Sequence, residues 1–162
     1  MRLIAIAAVA ALLSGTSALA APAAVNVSLT PQLQKKFDKT FGQREAELLT
    51  HDLRTSVEKQ LAKTGAHDGA RIELTLIDAK PNRPTFKQLG DRPGLSLESI
   101  GIGGAAIEGR IVAADGAETP IAYRWYETDI RQVRGGWTWS DATETFDRFA
   151  RRLAKGEELA RR

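Results

Sequence analysis

The sequence predicts an α+β fold: a two-layer sandwich in which a mostly antiparallel sheet of about four strands carries two amphipathic helices on one face. Three observations predict it. Apolar residues recur every three or four positions at Ala46, Leu49, Leu53, Val57 and Leu61, and again at Ala142, Phe146, Phe149, Ala150 and Leu153. Each set forms one stripe along a helix. Separate stretches alternate apolar and polar residues with period two, as half-buried strands do. Asp115-Gly116 between the last two alternating stretches is a hairpin signal.

The first 20 residues stand apart from that domain. Met1-Arg2 is a short positive start, Leu3 to Leu13 is an apolar run, and Ala18-Leu19-Ala20 has the small-x-small form of a signal-peptidase site. The apolar run is shorter than the roughly 20 residues a bilayer span needs. Cleavage before Ala21 is expected, and the product is expected in the periplasm with no membrane span. Leu13-Ser14-Gly15-Thr16 resembles a bacterial lipobox with Thr16 in the place of the acylated cysteine. The resemblance implies a product without a lipid anchor. The remaining stretch, 21–162, is about 140 residues, long enough to bury a core as a single domain. The chain has no cysteine, so it folds without disulfides, and thiol catalysis, thiolate zinc sites and iron–sulfur clusters are excluded. Its formal charge is +3. That balance and the export signal argue against a nucleic-acid partner.

Taken in order, Val25 to Leu29 alternates and reads as a short strand that Pro31 ends. Residues 30–42 read as a loop or short helical turn held down by Phe37 and Phe41. The first helix is expected from about Gln43 to Lys63, stopped by Gly65. The first central strand, Arg71 to Asp78, turns Ile72, Leu74 and Leu76 one way and Arg71, Glu73 and Thr75 the other; Ile77 breaks the alternation. Residues 79–98 form a long connection with Pro81, Pro84, Gly90, Pro93 and Gly94, which do not continue a sheet. Phe86, Leu89, Leu95 and Leu97 are expected to serve as the loop's own apolar anchors and keep it ordered. A strand from about Ile100 to Ala113 and another from Ile121 to Asp129 then pair across the hairpin. The C-terminal helix is expected from about residue 139, with Thr138 as N-cap and Trp137 packed on Ala142. Basic residues gather in this helix, interleaved with Glu144, Asp147, Glu157 and Glu158, as on a solvated face.

The polar residues fit no catalytic or metal constellation. His51-Asp52 and His67-Asp68 hold the only histidines, with no metal-ligand spacing between them. The glycines of Ser99-Ile100-Gly101-Ile102-Gly103-Gly104 lead into a strand, whereas a phosphate loop opens a helix. No cofactor is expected. The candidate binding residues are Asp78, Asn82, Arg83 and Trp139. Asp78 ends a strand and either closes the loop locally or pairs with Arg83. Asn82 and Arg83 stand between two stiffening prolines, where Arg83 could meet a carboxylate or phosphate. Trp139, with Trp125, Tyr126 and Trp137, belongs either to a glycan-stacking shelf or to the core.

The element order is similar to that of small α+β domains of bacterial envelope proteins, such as the N-terminal domain of TolB-type proteins and several periplasmic lipoproteins; likeness of layout alone implies no function. The first functional expectation is a non-enzymatic envelope domain that binds or helps assemble a protein or glycan partner through the 79–104 loop and the nearby sheet edge. The alternatives are a hydrolase of envelope polysaccharide or peptide, with Asp78 and Glu108 as acid and base, and a carrier with an apolar pocket between sheet and helices.

Overall fold

The structure is a computed structural model that describes residues 24–133 and 136–159. The export signal and lipobox-like stretch lie outside the described residues. The element order is β1 (Ala24–Leu29), α1 (Pro31–Lys36), a π-helical turn (Phe37–Phe41), α2 (Gln43–Thr64), β2 (Arg71–Lys80), α3 (Phe86–Asp91), β3 (Gly104–Val112), β4 (Glu118–Tyr126), a 3-10 turn (Ile130–Gln132) and α4 (Ser140–Ala154). The sheet order is β1-β2-β3-β4. β1 runs parallel to β2, while β2–β3 and β3–β4 are antiparallel. The expected α+β layering is therefore present, in a mixed sheet with α2 and α4 packed on it and on each other.

The helices form where the periodicity places them. Ala46, Leu49, Leu53, Val57 and Leu61 are all buried along α2, and Gly65 ends it in the left-handed region at φ 67°. The α4 stripe is buried in the same way. These two stripes meet Ile72, Leu74 and Leu76 of β2 and Ala105 and Ile107 of β3 in one apolar layer. Each fully buried Leu, Ile or Phe contributes roughly 1.5–3 kcal/mol through removal from water.

The sheet departs from the expected boundaries in three places. β2 continues to Lys80 because Ile77 is bulged out: Leu76 pairs with Ile107 and Asp78 with Ala106, so Ile77 has no partner on β3. The bulge resets the alternation and returns Ala79 to the buried face. β3 starts at Gly104, four residues later than expected, because residues 100–103 are held by loop and helix groups. β4 lies three residues earlier than expected at both ends, from Glu118 to Tyr126 in place of Ile121 to Asp129. The Asp115-Gly116 hairpin is as expected, with Ala113 N–H donating to Ala117 O at 2.9 Å and Gly116 at φ 86°. Residues 30–42 are more helical than a loop: Thr30 Oγ1 caps α1 by accepting from Leu33 N–H at 3.2 Å.

The sheet face away from the helices is polar. Glu73 bonds Arg71 at 2.8 Å along its own strand and Arg110 at 2.6 Å across to β3. The two arginines hold the Glu73 carboxyl below its usual range, chiefly through the Arg110 bond. This ladder sits where an apolar-ligand carrier would need apolar residues.

Two stability outcomes follow. An added Cβ at Gly109 would collide with Glu73 O and press on Leu74 Cδ2 at 3.0 Å. Gly109→Ala is expected to cost about 1–3 kcal/mol by overpacking, read as a lower urea midpoint, whereas Gly90→Ala, with nothing within 4 Å, should leave the midpoint unchanged or raise it. Asp52 on α2 has its pKa raised above 3.8, mainly by burial, against the pull of His51 and with a push from Asp147. The folded state thus keeps this proton to higher pH than the unfolded state, so its ionisation removes stability as pH rises above 3.8. Asp52→Asn is expected to raise the thermal midpoint at neutral pH, with the gain fading as pH falls toward 3.8.

Candidate functional site

The connection between β2 and β3 is a locked loop, and polar bonds lock it. Asn82 is 1 % exposed and Asp141, in the first turn of α4, is 4 % exposed. Asn82 Nδ2 donates to Asp141 Oδ2 at 2.6 Å, and Asp141 N–H donates back to Asn82 Oδ1 at 2.8 Å. The same Oδ2 accepts from Gly103 N–H at 2.9 Å. Asn82 Nδ2 also donates to Gly101 O at 3.2 Å. Its backbone joins in: Asn82 N–H donates to Thr138 O at 2.7 Å, and Gly101 N–H to Asn82 O at 2.8 Å. One residue therefore ties the start of the loop, its end and the start of α4 together.

The helix end explains why this holds. Trp139 occupies the N-cap position of α4 and offers no capping side chain. The first N–H groups of a helix have no intrahelical acceptor. Asn82 supplies one from another segment, acting as a tertiary cap. The expected cap at Thr138 is displaced by one residue: Trp139 is the N-cap and α4 begins at Ser140, whose hydroxyl accepts from Trp137 N–H at 3.0 Å. Trp137 is 40 % exposed, so it is no staple.

The rest of the loop carries its own turn of helix. Thr85 Oγ1 accepts from Gln88 N–H at 3.3 Å, and Gln88 Oε1 accepts from Thr85 N–H at 3.1 Å, a capping box at the start of α3. Arg83 Nη1 donates to Leu97 O across the loop. The expectation that apolar residues anchor this loop fails for Phe86, Leu95 and Leu97, while Leu89 is half-buried. Phe86 is 82 % exposed and Leu97 60 %. Ile100, Ile130 and Trp137, on segments tied to the same knot, are exposed as well.

The four candidate binding residues divide. Asn82 is interior, with its carbonyl oxygen and amide both bonded within the protein. Trp139 is interior too, fully buried, with its ring 5.4 Å from Phe41 and 5.9 Å from Phe37 and its Nε1 donating to Glu45 Oε2 at 2.6 Å. Asp78 and Arg83 are partly exposed. Asp78 lies inside β2 on the open face, where Oδ1 accepts from Lys36 Nζ at 3.1 Å and Oδ2 from Tyr126 Oη at 2.9 Å. Burial first, then the bond to Asp78, pushes the Tyr126 hydroxyl well above its ordinary range. Trp125 is half-buried under Arg148, whose guanidinium lies 4.2 Å from the ring centre. Arg148 also pairs with Glu144 at 2.8 Å, as expected of a solvated helix face.

Glu108 is exposed on the open face, in register with Thr75 and Ala122. A broad depression of about 1450 Å³ is lined by Glu73, Glu108 and Arg110 of β2 and β3, by Ile121 of β4, and by Leu153 and Leu159. The layer between sheet and helices is filled by Ile72, Leu76, Phe146 and Phe149. Among the described residues, no three His, Asp or Glu side chains are placed to hold a metal, and no helix is long and apolar enough to cross a membrane.

The geometry defines a small α+β domain with a polar-locked, outwardly apolar loop. Among known proteins, no family model matches the chain, and no curated protein matches it. Solved structures resemble it distantly. A minor lipoprotein of Acinetobacter baumannii is 12% identical, with a TM-score of 0.34, over 82% of this chain and 89% of that one. A candidate lipoprotein of Caulobacter crescentus is 13% identical, with a TM-score of 0.31, over 82% of each chain. Likenesses at this level assign no function.

Asn82→Ala would leave the buried Asp141 carboxylate and the α4 amide short of partners. It is expected to cost about 2–3 kcal/mol, and to open the 83–100 segment to limited proteolysis before the rest of the chain unfolds. Arg83→Ala, on the same loop, should change global stability by less than about 1 kcal/mol.

Proposed function

We propose that the chain is an exported, non-enzymatic domain of the bacterial envelope that binds an envelope protein or glycan through the surface around Phe86, Leu97 and Ile100. The observation that supports this reading is the combination at the loop. A loop fastened by buried polar bonds does not need to expose its apolar side chains to stay folded, yet Phe86 and Leu97 face solvent. Apolar side chains held outward on an ordered frame suit a contact surface, because the frame has already lost its conformational entropy before binding. The envelope address rests on the N-terminal sequence, with its apolar run and Ala18-Leu19-Ala20 site. In this reading the product is released into the periplasm, since Thr16 stands where an acylated cysteine would be.

Asp78 favours binding over hydrolysis. Both of its carboxylate oxygens are engaged, by Lys36 and by Tyr126, where an acid–base pair would need a carboxyl presented to substrate.

The test is photocrosslinking in cells that export the protein, with the reactive side chain at position 86 or 97, and at Thr75 on the open sheet face as control. Crosslinks to an envelope component are expected from 86 and 97 and not from 75. A variant combining Phe86→Ser, Leu97→Ser and Ile100→Ser should keep its circular dichroism spectrum and lose at least about tenfold in capture, the effect of removing a hot-spot contact. Equal capture by this folded variant, or equal crosslinking from Thr75, would overturn the reading.

A further inference from the structure

The two edges of the sheet are built differently. The outer edge of β4 is guarded. It carries Glu118, Pro120 and Arg124, and the C-terminal segment lies along it, with Ala122 N–H donating to Leu159 O at 3.3 Å and Leu159 only 7% exposed. Charges, proline and a covering segment are the usual means of keeping an edge strand from pairing. Among the described residues β1, the other edge, has none of these. Its sequence Ala24-Val25-Asn26-Val27-Ser28-Leu29 holds no charge and no proline. Among the described residues no strand lies beyond it.

The backbone phase of β1 can be read from one bond. Thr30 N–H donates inward to Leu76 O of β2 at 3.2 Å. Amide direction alternates along a strand, so Ser28 and Asn26 also face β2, and the N–H and C=O groups of Val25, Val27 and Leu29 face away from the sheet. The side chains of these three outward-bonding residues lie on the helix face. Val25 is buried there, but Val27 and Leu29 are only partly covered, although both pack against the core. Asn26 and Ser28 lie exposed on the open face.

We infer that β1 pairs antiparallel with β1 of a second copy of this chain, about a two-fold axis through Val27. This register is the one that the outward amides select. It sets Val27 opposite Val27 and Val25 opposite Leu29, so that every residue with outward groups enters a hydrogen-bonded pair. The same register sets Asn26 opposite Ser28, which brings neutral hydrogen-bonding side chains together on the open face. It extends the apolar layer across the joint and covers the remaining surface of Val27 and Leu29. No like charges meet, because β1 has none, and the interface is self-complementary as a two-fold contact must be. The two sheets become one continuous sheet with a guarded β4 at each end, which closes the assembly at two copies.

The chain lacks cysteine, so single-cysteine variants report the register directly. Residues facing each other in a hydrogen-bonded antiparallel pair have Cα atoms about 5.5 Å apart, inside the roughly 4.4–6.8 Å range of a disulfide. In protein purified from cells that export it, Val27→Cys is expected to give an oxidised dimer. Val25→Cys alone should not, whereas Val25→Cys mixed with Leu29→Cys should. Sedimentation of the unmodified protein should show a dimer. Asn26→Lys combined with Ser28→Lys should weaken that dimer at least tenfold while the circular dichroism spectrum stays native. The matching double glutamate variant should behave the same way, and mixing the lysine and glutamate variants should restore dimers. An unmodified protein that remains monomeric at hundreds of micromolar overturns the inference, even if the edge then accepts a strand from a different protein. So does a dimer that survives the lysine substitutions, or Val25→Cys crosslinking as readily as Val27→Cys.

Discussion

Asn82 and Asp141 exchange two hydrogen bonds in the interior, 59 positions apart in the chain. An ionised carboxylate in that position is costly unless donors surround it. Here the Asn82 amide and the Gly103 N–H supply them, and Asn82 in turn supplies the acceptor that the first turn of α4 lacks. The bonds are reciprocal, so neither residue is replaceable alone. They set where β3 can begin, where α4 can begin, and which way the loop between β2 and β3 must face. The outward apolar surface is a consequence of that constraint, because the interior at this end is already filled with polar groups and the ring of Trp139.

Trp139 forms the second half of this arrangement. Its indole closes a cluster with Phe37 and Phe41, and its one polar atom finds Glu45. The π-helical turn is what presents both phenylalanines to it. That turn closes through Gly42, whose N–H donates to Phe37 O at 2.7 Å and whose φ of 104° suits glycine. The entry to α2 and the entry to α4 are thus fastened to each other at one end of the molecule, and the loop sits over that junction.

Much of the fold was legible because it is written in repeats. The α2 and α4 stripes, the inward residues of β2 and β3, and the Asp115-Gly116 hairpin each follow from a local period or a turn preference that tertiary contacts reinforced. The loop is not legible in the same way, because its anchors are single polar bonds to distant partners, which leave no period. Apolar letters in a loop carry no direction, so the sequence alone does not distinguish Phe86 and Leu97, which face solvent, from anchors. The helix starts one residue later than a Thr138 cap implies and leaves Trp137 on the surface, while of the two alternatives for Trp139, shelf or core, the structure has the core. One signal in the loop is local: Thr85-x-x-Gln88 is a capping box, and it marks α3 inside a stretch that otherwise reads as punctuation. Ile77 gave a hint of its bulge by breaking the alternation, without indicating that the strand would resume beyond it.

The bulge at Ile77 has a consequence for how this protein can change length. Leu76 and Asp78 face consecutive residues of β3, so every other position of β2 keeps its side of the sheet with Ile77 counted out. A chain lacking Ile77 would alternate regularly from Ile72 to Lys80, with Leu76 and Ala79 still inward and Asp78 still beside Tyr126. Almost any other single deletion in β2 would turn half of the strand over and drive charged side chains into the apolar layer. The central strand therefore contains a position at which a codon can be lost without inverting the sheet, and it lies three residues before the end of β2, where the loop begins.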